Sequence, residues 1–151
     1  DGKTDLRLEI WPIVLDMIQR YFPAGTGFGT LDPVFRIGEP DGLLNPQYIN
    51  QAHNDWLQIF LDGGVLALVL LVVALIWFVL RSFRIWISDG GSTGAHVLGK
   101  AGSILFALIL AASLTDYPAR TPLVMALLTL ASIWLMSAKS VRGFRERICK
   151  I

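Results

Sequence analysis

The sequence predicts an all-α integral membrane protein in which three transmembrane helices follow an extracytoplasmic helix-loop-helix segment. Hydrophobic residues make up 54% of its 151 residues and charged residues only 17%, whereas about a quarter of the residues are charged in an average soluble domain. The apolar residues are concentrated in three long runs without charge. Acidic and basic residues separate along the chain, although they nearly cancel in the net charge of +1. These observations disfavour both a disordered chain and an ordinary water-soluble domain.

Three charge-free runs predict the transmembrane helices. They cover residues 63–80, 101–115 and 121–138. An 18-residue helix is about 27 Å long, close to the thickness of the hydrocarbon core of a bilayer, and the second run approaches that length if Lys100 snorkels at its end. The alternative, buried helices of a soluble bundle, is disfavoured because residues 65–77 lack the polar face that such helices usually keep. We therefore expect transmembrane helices over residues 63–82, 98–115 and 121–138.

The charge distribution predicts how these helices are oriented. Residues 1–62 carry four basic and nine acidic side chains, a net charge of −5, whereas residues 63–151 carry nine basic and three acidic ones, a net charge of +6. Basic residues are enriched in the cytoplasmic loops of membrane proteins. The expected segments are therefore an outer segment, a cytoplasmic loop, an outer turn and a basic cytoplasmic tail, over residues 1–62, 83–97, 116–120 and 139–151.

The cysteine content and the two ends of the sequence limit the possible classes of protein. A single cysteine, Cys149, excludes an internal disulfide framework and a multi-cysteine zinc site. The sequence opens with Asp-Gly-Lys, without Met or a signal-peptide pattern, and we interpret it as a piece of a longer protein. Nucleic-acid binding is disfavoured, because anionic lipid at the cytoplasmic surface accounts for the basic tail.

The first part of the outer segment is predicted to be one helix followed by a loop. Residues 4–22 form an amphipathic pattern, and Pro12 marks either the start of the helix or a kink in it. The apolar side either lies in the membrane interface or packs against other helices; it comprises Leu6, Ile10, Ile13, Val14, Met17, Ile18 and Tyr21. Residues 22–30 are a glycine-rich break whose spacing does not match a phosphate-binding loop. Residues 31–49 contain three prolines and two glycines and are predicted to be loop.

A second helix, which carries a histidine, is predicted over residues 50–62, capped by Asn50 and ending at the glycine pair 63–64. His53 lies on the apolar side of this helix. One interpretation is an interfacial histidine that packs and forms hydrogen bonds. The other is a general base, because a neutral imidazole readily takes a proton from a hydroxyl group. A metal ligand is disfavoured, because no second histidine follows at ligand spacing.

Two arginines on the predicted outer side are candidate anion ligands. Arg7, among apolar neighbours near the start of the amphipathic helix, either snorkels at the membrane surface or binds an anion through its planar guanidinium group. Arg120 lies at the outer end of the third predicted span, where basic residues are disfavoured. It therefore either pairs with Asp116, four residues earlier, or binds an anionic ligand.

Three motifs spread over the chain carry a family resemblance. They are Arg7-x-x-x-Trp11 leading into residues 21–29, the pair His53-Asn54 followed by nine residues and Gly64, and Asp-Tyr-Pro-Ala-Arg-Thr-Pro at residues 116–122. Together they resemble the bacterial O-antigen ligase-like family, which includes O-antigen ligases, related polymerases and protein O-oligosaccharyltransferases. Ala67 stands where the family pattern has Gly, Thr or Tyr.

The resemblance implies a reaction and a location. Members of this family are GT-C-like proteins of the bacterial inner membrane with many spans and a large periplasmic loop. They transfer a glycan from an undecaprenyl-pyrophosphate carrier to an acceptor hydroxyl on lipid A core, a growing glycan or a protein, without a metal or other cofactor. The present sequence would then contribute one wall of the active site and depend on the rest of its parent protein for activity.

The resemblance also implies roles for individual residues. His53 matches the essential loop histidine and would act as general base. Arg7 matches the upstream loop arginine and would bind the pyrophosphate, with Arg120 as the second candidate. Asn54 and Asp55, next to the histidine, would support it.

Two other functions remain open from the residues alone. In a membrane transport or channel component, His53, Asp116 and Arg120 would line a polar path; such residues usually lie within the spans, whereas the three runs here are free of charge. The second is a non-catalytic, membrane-anchored interaction module. Such a module would not require His53, Arg7 and Arg120 on one side of the membrane.

Overall fold

The structure, a computed structural model, describes residues 6–38, 51–88 and 94–138, and all regular secondary structure in these ranges is helical. Its elements are α1 (Leu6–Tyr21), α2 (Leu31–Ile37), α3 (Asp55–Ile87), α4 (Gly94–Ala112), a 3-10 helix (Pro118–Arg120) and α5 (Pro122–Ser137). The prediction of an all-α protein is confirmed for these residues. The predicted cytoplasmic tail, residues 139–151, lies outside them.

The chain divides into two compact units. The first unit consists of Asp1–Val72 and Ala112–Pro118, and the second consists of Val73–Ala111 and Ala119–Ile151. The first unit therefore contains α1, α2 and the beginning of α3. The second contains the rest of α3, most of α4, and α5.

The apolar side of α1 forms the core of the first unit. Ile10 and Val14 are completely buried, and Met17 and Ile18 nearly so. They pack against Leu31 and Phe35 of α2 and against Ala52 and Leu61. The sequence left open whether this side lies in the membrane interface or packs against other helices. In the structure it packs against another helix, α2. Pro12 lies inside α1 on its exposed side, and the helix continues through it.

α2 corrects the prediction that residues 31–49 are loop. Leu31 and Phe35 lie one helical turn apart and are both almost fully buried, so the helix places two large apolar side chains in the core. Pro33 is tolerated because it lies in the first turn, where its missing N–H would have no partner within the helix. Asp32 and Arg36 form an ion pair at 2.9 Å on the side of α2 away from this core. Residues 39–49 lie outside the described ranges.

The backbone of α3 breaks at Gly64, where φ is 55° and ψ is −145°. The glycine-rich loop, residues 22–30, replaces the hydrogen bonds that the break removes. The carbonyl oxygens of Leu61 and Asp62 accept from the backbone N–H groups of Thr26 (2.9 Å) and Gly27 (2.8 Å). In an unbroken helix these oxygens would accept from residues 65 and 66.

Two glycines permit this close approach between the loop and α3. A Cβ atom on Gly25 would lie 2.6 Å from both the carbonyl oxygen of Asp62 and the backbone nitrogen of Gly64, and one on Gly64 would overlap the carbonyl oxygen of Pro23. That Pro23 oxygen accepts from the N–H of Val65 at 2.9 Å. The predicted helix end at the glycine pair is therefore a break in the backbone, after which the helix resumes at once.

Close packing of α3, α4 and α5 builds the second unit. A Cβ atom on Gly102 of α4 would lie 2.7 Å from the carbonyl oxygen of Ala131 in α5, so the two helices approach at backbone distance. Phe106 of α4 stacks on Phe78 of α3 with ring centroids 4.5 Å apart. Arg81 of α3 donates two hydrogen bonds through Nη2 to the last turn of α5, at the carbonyl oxygens of Leu135 (3.0 Å) and Met136 (2.8 Å).

Two of the described helices, α3 and α4, are long and apolar enough to cross a membrane. Only 6% of an apolar 18-residue stretch of α3 is buried, and an exposed apolar surface of this size is typical of a contact with a membrane or another protein segment. α5 is apolar but has only 16 residues, and the third span stays a prediction. α3 extends to Ile87 and α4 begins at Gly94, so both helices reach into the predicted 83–97 loop.

Candidate active site

His53 lies just before α3 instead of on a helix, which corrects its predicted position. α3 begins at Asp55, and the side chain of Asn54 caps it by accepting hydrogen bonds from the N–H groups of Trp56 (3.0 Å) and Leu57 (3.1 Å). These are the donors that an N-cap residue satisfies. The predicted cap, Asn50, lies outside the described residues.

The backbone of His53 is held in an unusual conformation. Its φ is +52°, in the left-handed region that residues with a side chain rarely adopt. Such a conformation persists only when the surroundings stabilise it. Ala52 on one side of His53 is held through its backbone: its N–H donates to Oε1 of Gln58 (3.0 Å), and its carbonyl oxygen accepts from Nε1 of Trp11 (3.0 Å).

On the other side, Asn54 and Asp55 attach the chain to the turn that follows α4. Asn54 Nδ2 donates to the carbonyl oxygen of Leu114 (2.9 Å). The backbone N–H of Asp55 donates to the carbonyl oxygen of Ser113 (3.1 Å). The hydroxyl of Ser113 donates to Oδ2 of Asp55 at 3.0 Å. Asn54, Asp55 and Ser113 are all buried. We call this set of contacts the Asn54–Asp55 tether; it links residues about sixty positions apart in the chain.

The same turn supplies the neighbours of the His53 ring. Nδ1 of His53 lies 3.7 Å from Oδ1 of Asp116, too far for a hydrogen bond, and the ring of Tyr117 packs edge-on with its centroid 5.1 Å away. The side chain of His53 is 32% exposed, while its Nδ1 atom is buried. The exposed part therefore belongs to the other atoms of the side chain.

This geometry is chemically suited to proton transfer. A carboxylate near one ring nitrogen orients a histidine and favours the state in which that nitrogen carries the proton, which leaves the other nitrogen as the acceptor. Catalytic contacts in ligand-free structures are often longer than hydrogen bonds and shorten when substrate binds. The sequence pointed to Asp116 as a partner for Arg120 or as part of a polar path in a transport protein, and not as a neighbour of a catalytic His53. The sequence feature that could have pointed to Asp116 is the Asp-Tyr-Pro segment, because it belongs to the same set of family motifs as His53.

The predicted arginines lie in different units. Arg7 is in the first turn of α1, one turn before Trp11 and on the same side of the helix. Since Trp11 bonds to Ala52, this side of α1 faces the segment that carries His53. Arg120 is half-buried at the end of the 3-10 helix and belongs to the second unit.

Within the described parts of the chain, no group of three or more His, Cys, Asp or Glu side chains is arranged to hold a metal ion.

Comparison with known proteins finds a family match for the first part of the chain. The family model described as O-Antigen ligase matches residues 1–72, which include α1, the glycine-rich loop, His53 and the break at Gly64. The resemblance of these residues to the O-antigen ligases is thereby confirmed. No curated protein and no solved structure matches the chain.

Proposed function

Because residues 1–72 match the O-antigen ligase family, we propose that this protein is part of a membrane glycosyltransferase of the O-antigen ligase type. It transfers a glycan from an undecaprenyl-pyrophosphate carrier to an acceptor hydroxyl on lipid A core, another glycan or a protein. The helices α3, α4 and α5 cross the bacterial inner membrane, and the residues before Gly64 face the periplasm together with the turn at residues 116–120. Further spans of the parent protein complete the site.

The observation that carries this proposal is the environment of His53. Its ring packs against Tyr117, its Nδ1 lies 3.7 Å from Oδ1 of Asp116, and its side chain is 32% exposed. Nε2 accepts the proton of the acceptor hydroxyl while the hydroxyl oxygen attacks the anomeric carbon of the glycan. The bond from that carbon to the pyrophosphate breaks, and the pyrophosphate leaves with the electron pair. This single displacement inverts the configuration at the anomeric carbon.

Asp116 stabilises the product of the proton transfer. Once Nε2 has taken the proton, the imidazolium carries a positive charge beside the carboxylate at 3.7 Å. The attraction between them grows as the proton moves, so it lowers the energy of the transition state more than that of the ground state.

Arg7 is the first candidate for binding the pyrophosphate. Its position on the side of α1 that bonds to Ala52 supports this role. A guanidinium group donates two parallel hydrogen bonds to phosphate oxygens and stabilises the negative charge that develops as the bond breaks. Arg120 is the second candidate, on the basis of its position in the sequence.

Asn54 and Asp55 have a supporting role. Through the Asn54–Asp55 tether they hold the backbone of His53 in its left-handed conformation. This fixes the direction of the imidazole before substrate arrives, which reduces the ordering that the reaction itself must achieve.

The test uses the full parent protein in lipid vesicles with an undecaprenyl-pyrophosphate-linked glycan and a panel of acceptors. We expect His53→Ala to lower the transfer rate by about 10²–10⁴-fold, the range for loss of a general base, while the protein still inserts into the membrane. The matched control is His96→Gln, at the histidine of α4 in the second unit, which should retain transfer. Wild-type transfer by His53→Ala would remove His53 as the base.

A further inference from the structure

The glycine-rich loop exposes two aromatic side chains. Phe22 is 57% exposed and Phe28 is 74% exposed. The loop carries no charge, since residues 21–31 separate Arg20 from Asp32 without an ionisable Asp, Glu, Lys, Arg or His. Exposed phenylalanines in an uncharged loop are unfavourable in water, so an apolar or interfacial environment is expected around them.

The loop is fixed at one level along α3. Its backbone bonds to Leu61, Asp62 and Val65 of that helix, a stretch that covers about 6 Å of the helix axis. The end of the Phe28 ring lies 3.3 Å from the position that a Cβ atom on Gly63 would occupy. Phe28 is therefore held beside the residues at which the apolar part of α3 begins, and Phe22 directly precedes Pro23, whose carbonyl oxygen bonds to Val65.

The apolar surface of α3 continues directly from this level. Val65 and Leu66 are exposed apolar residues in the first turn after the break. The charged residues that flank the loop in the sequence are both paired, Arg20 with Asp16 at 2.7 Å and Asp32 with Arg36 at 2.9 Å. An uncharged aromatic tip that adjoins a candidate transmembrane surface, and is flanked by paired charges, matches the boundary between headgroups and acyl chains.

We propose that the glycine-rich loop is a membrane anchor whose phenylalanines, Phe22 and Phe28, insert into the boundary between headgroups and acyl chains of the leaflet that α3 enters. The partner is the lipid bilayer itself. Because the loop also joins α1 to α2, it holds the first unit against the membrane surface at a fixed depth. This role does not depend on the proposed transferase activity.

The experiment measures depth by spin labelling. The full protein, with Cys149 and any other cysteine replaced by serine, receives one cysteine at a time and a nitroxide label, and is reconstituted in phosphatidylethanolamine–phosphatidylglycerol vesicles. Collision of the label with oxygen, which concentrates in lipid, is compared with collision with a water-soluble nickel chelate. Leu70→Cys, on the exposed surface of α3, is the lipid reference, and Gln19→Cys, on the exposed side of α1, is the water reference.

We expect the ratio of oxygen to nickel collisions for Phe28→Cys to be several-fold above that of Gln19→Cys and below that of Leu70→Cys. A ratio equal to that of Gln19→Cys would place the loop in water and overturn the proposal. An immobilised label that neither reagent reaches would show that another protein segment covers the loop, and would equally overturn it. Phe22→Cys provides a second position for the same measurement if the Phe28→Cys protein does not fold.

Discussion

Asn54 performs two separable tasks beside the candidate base, and this separation allows a sharp test. Its Oδ1 accepts hydrogen bonds from the N–H groups of Trp56 and Leu57, which starts α3. Its Nδ2 donates to the carbonyl oxygen of Leu114, which attaches the His53 segment to the turn after α4. Asn54→Ala removes both sets of contacts. Asn54→Ser keeps a good capping oxygen but is too short to reach Leu114.

The magnitudes follow from the two kinds of contact. Loss of an N-cap side chain costs about 1 kcal/mol, and a buried hydrogen bond whose partner is left unsatisfied costs about 1–3 kcal/mol. We therefore expect Asn54→Ala to lower the free energy of unfolding by about 2–4 kcal/mol. Asn54→Ser should lower it by only about 1–3 kcal/mol, the share of the contact with Leu114.

The assay combines unfolding in detergent with glycan transfer by the full protein. Because the tether holds the backbone of His53, Asn54→Ser should lower kcat while changing KM for the acceptor little. A matched control is Thr115→Ala in the same turn, since the hydroxyl of Thr115 is exposed and bonds only locally, to the carbonyl oxygen of Ala112. If Asn54→Ser unfolds and reacts like the wild type, the tether does not hold His53 and the reasoning is wrong.

Three further changes test the site and the fold. Gly64→Ala should reduce the yield of folded protein, because its Cβ would overlap the backbone of residues 23–25 and its φ is positive. The control Gly38→Ala should be tolerated, because a Cβ atom there would have no neighbour within 4 Å. Both yields are measured by size-exclusion chromatography in detergent. Asp116→Asn should lower kcat for glycan transfer by less than His53→Ala does, since it weakens the stabilisation of the imidazolium and leaves the base in place; an unchanged kcat would argue against the pair. Arg7→Lys should also lower kcat, because an ammonium group cannot replace the two parallel hydrogen bonds of guanidinium, and wild-type kinetics would favour a snorkelling role.

Much of the fold was predictable because its causes are local. The charge-free runs indicate apolar helices whatever their neighbours are, and the pattern of Ile10, Val14 and Met17 indicates the buried side of α1. The sequence does not predict α2, because the prolines and glycines of residues 31–49 indicate a loop more strongly than two apolar residues indicate a helix. Leu31 and Phe35 form a helix because this places both side chains in the core with the apolar side of α1.

The glycines show how local and distant causes combine. Their clustering at residues 22–30 and 63–64 predicted breaks in the chain. That the two clusters bond to each other, so that Thr26 and Gly27 satisfy the carbonyl oxygens freed at the break of α3, is a property of the folded chain alone. Sequence patterns describe residues a few positions apart, and these partners are separated by 35 positions.

The sequence by itself determined the apolar helices and predicted a membrane protein with His53 as a candidate base, because composition, helical periodicity and side-chain chemistry need no knowledge of distant neighbours. Only the tertiary structure decided where α3 begins, which asparagine caps it, and that Asp116 and Tyr117 lie beside the ring of His53. The capping hydrogen bonds of Asn54 are local, but the bond that attaches Asn54 to Leu114 and the contacts of His53 with Asp116 and Tyr117 join distant segments. Contacts between distant segments exist only after the chain has folded.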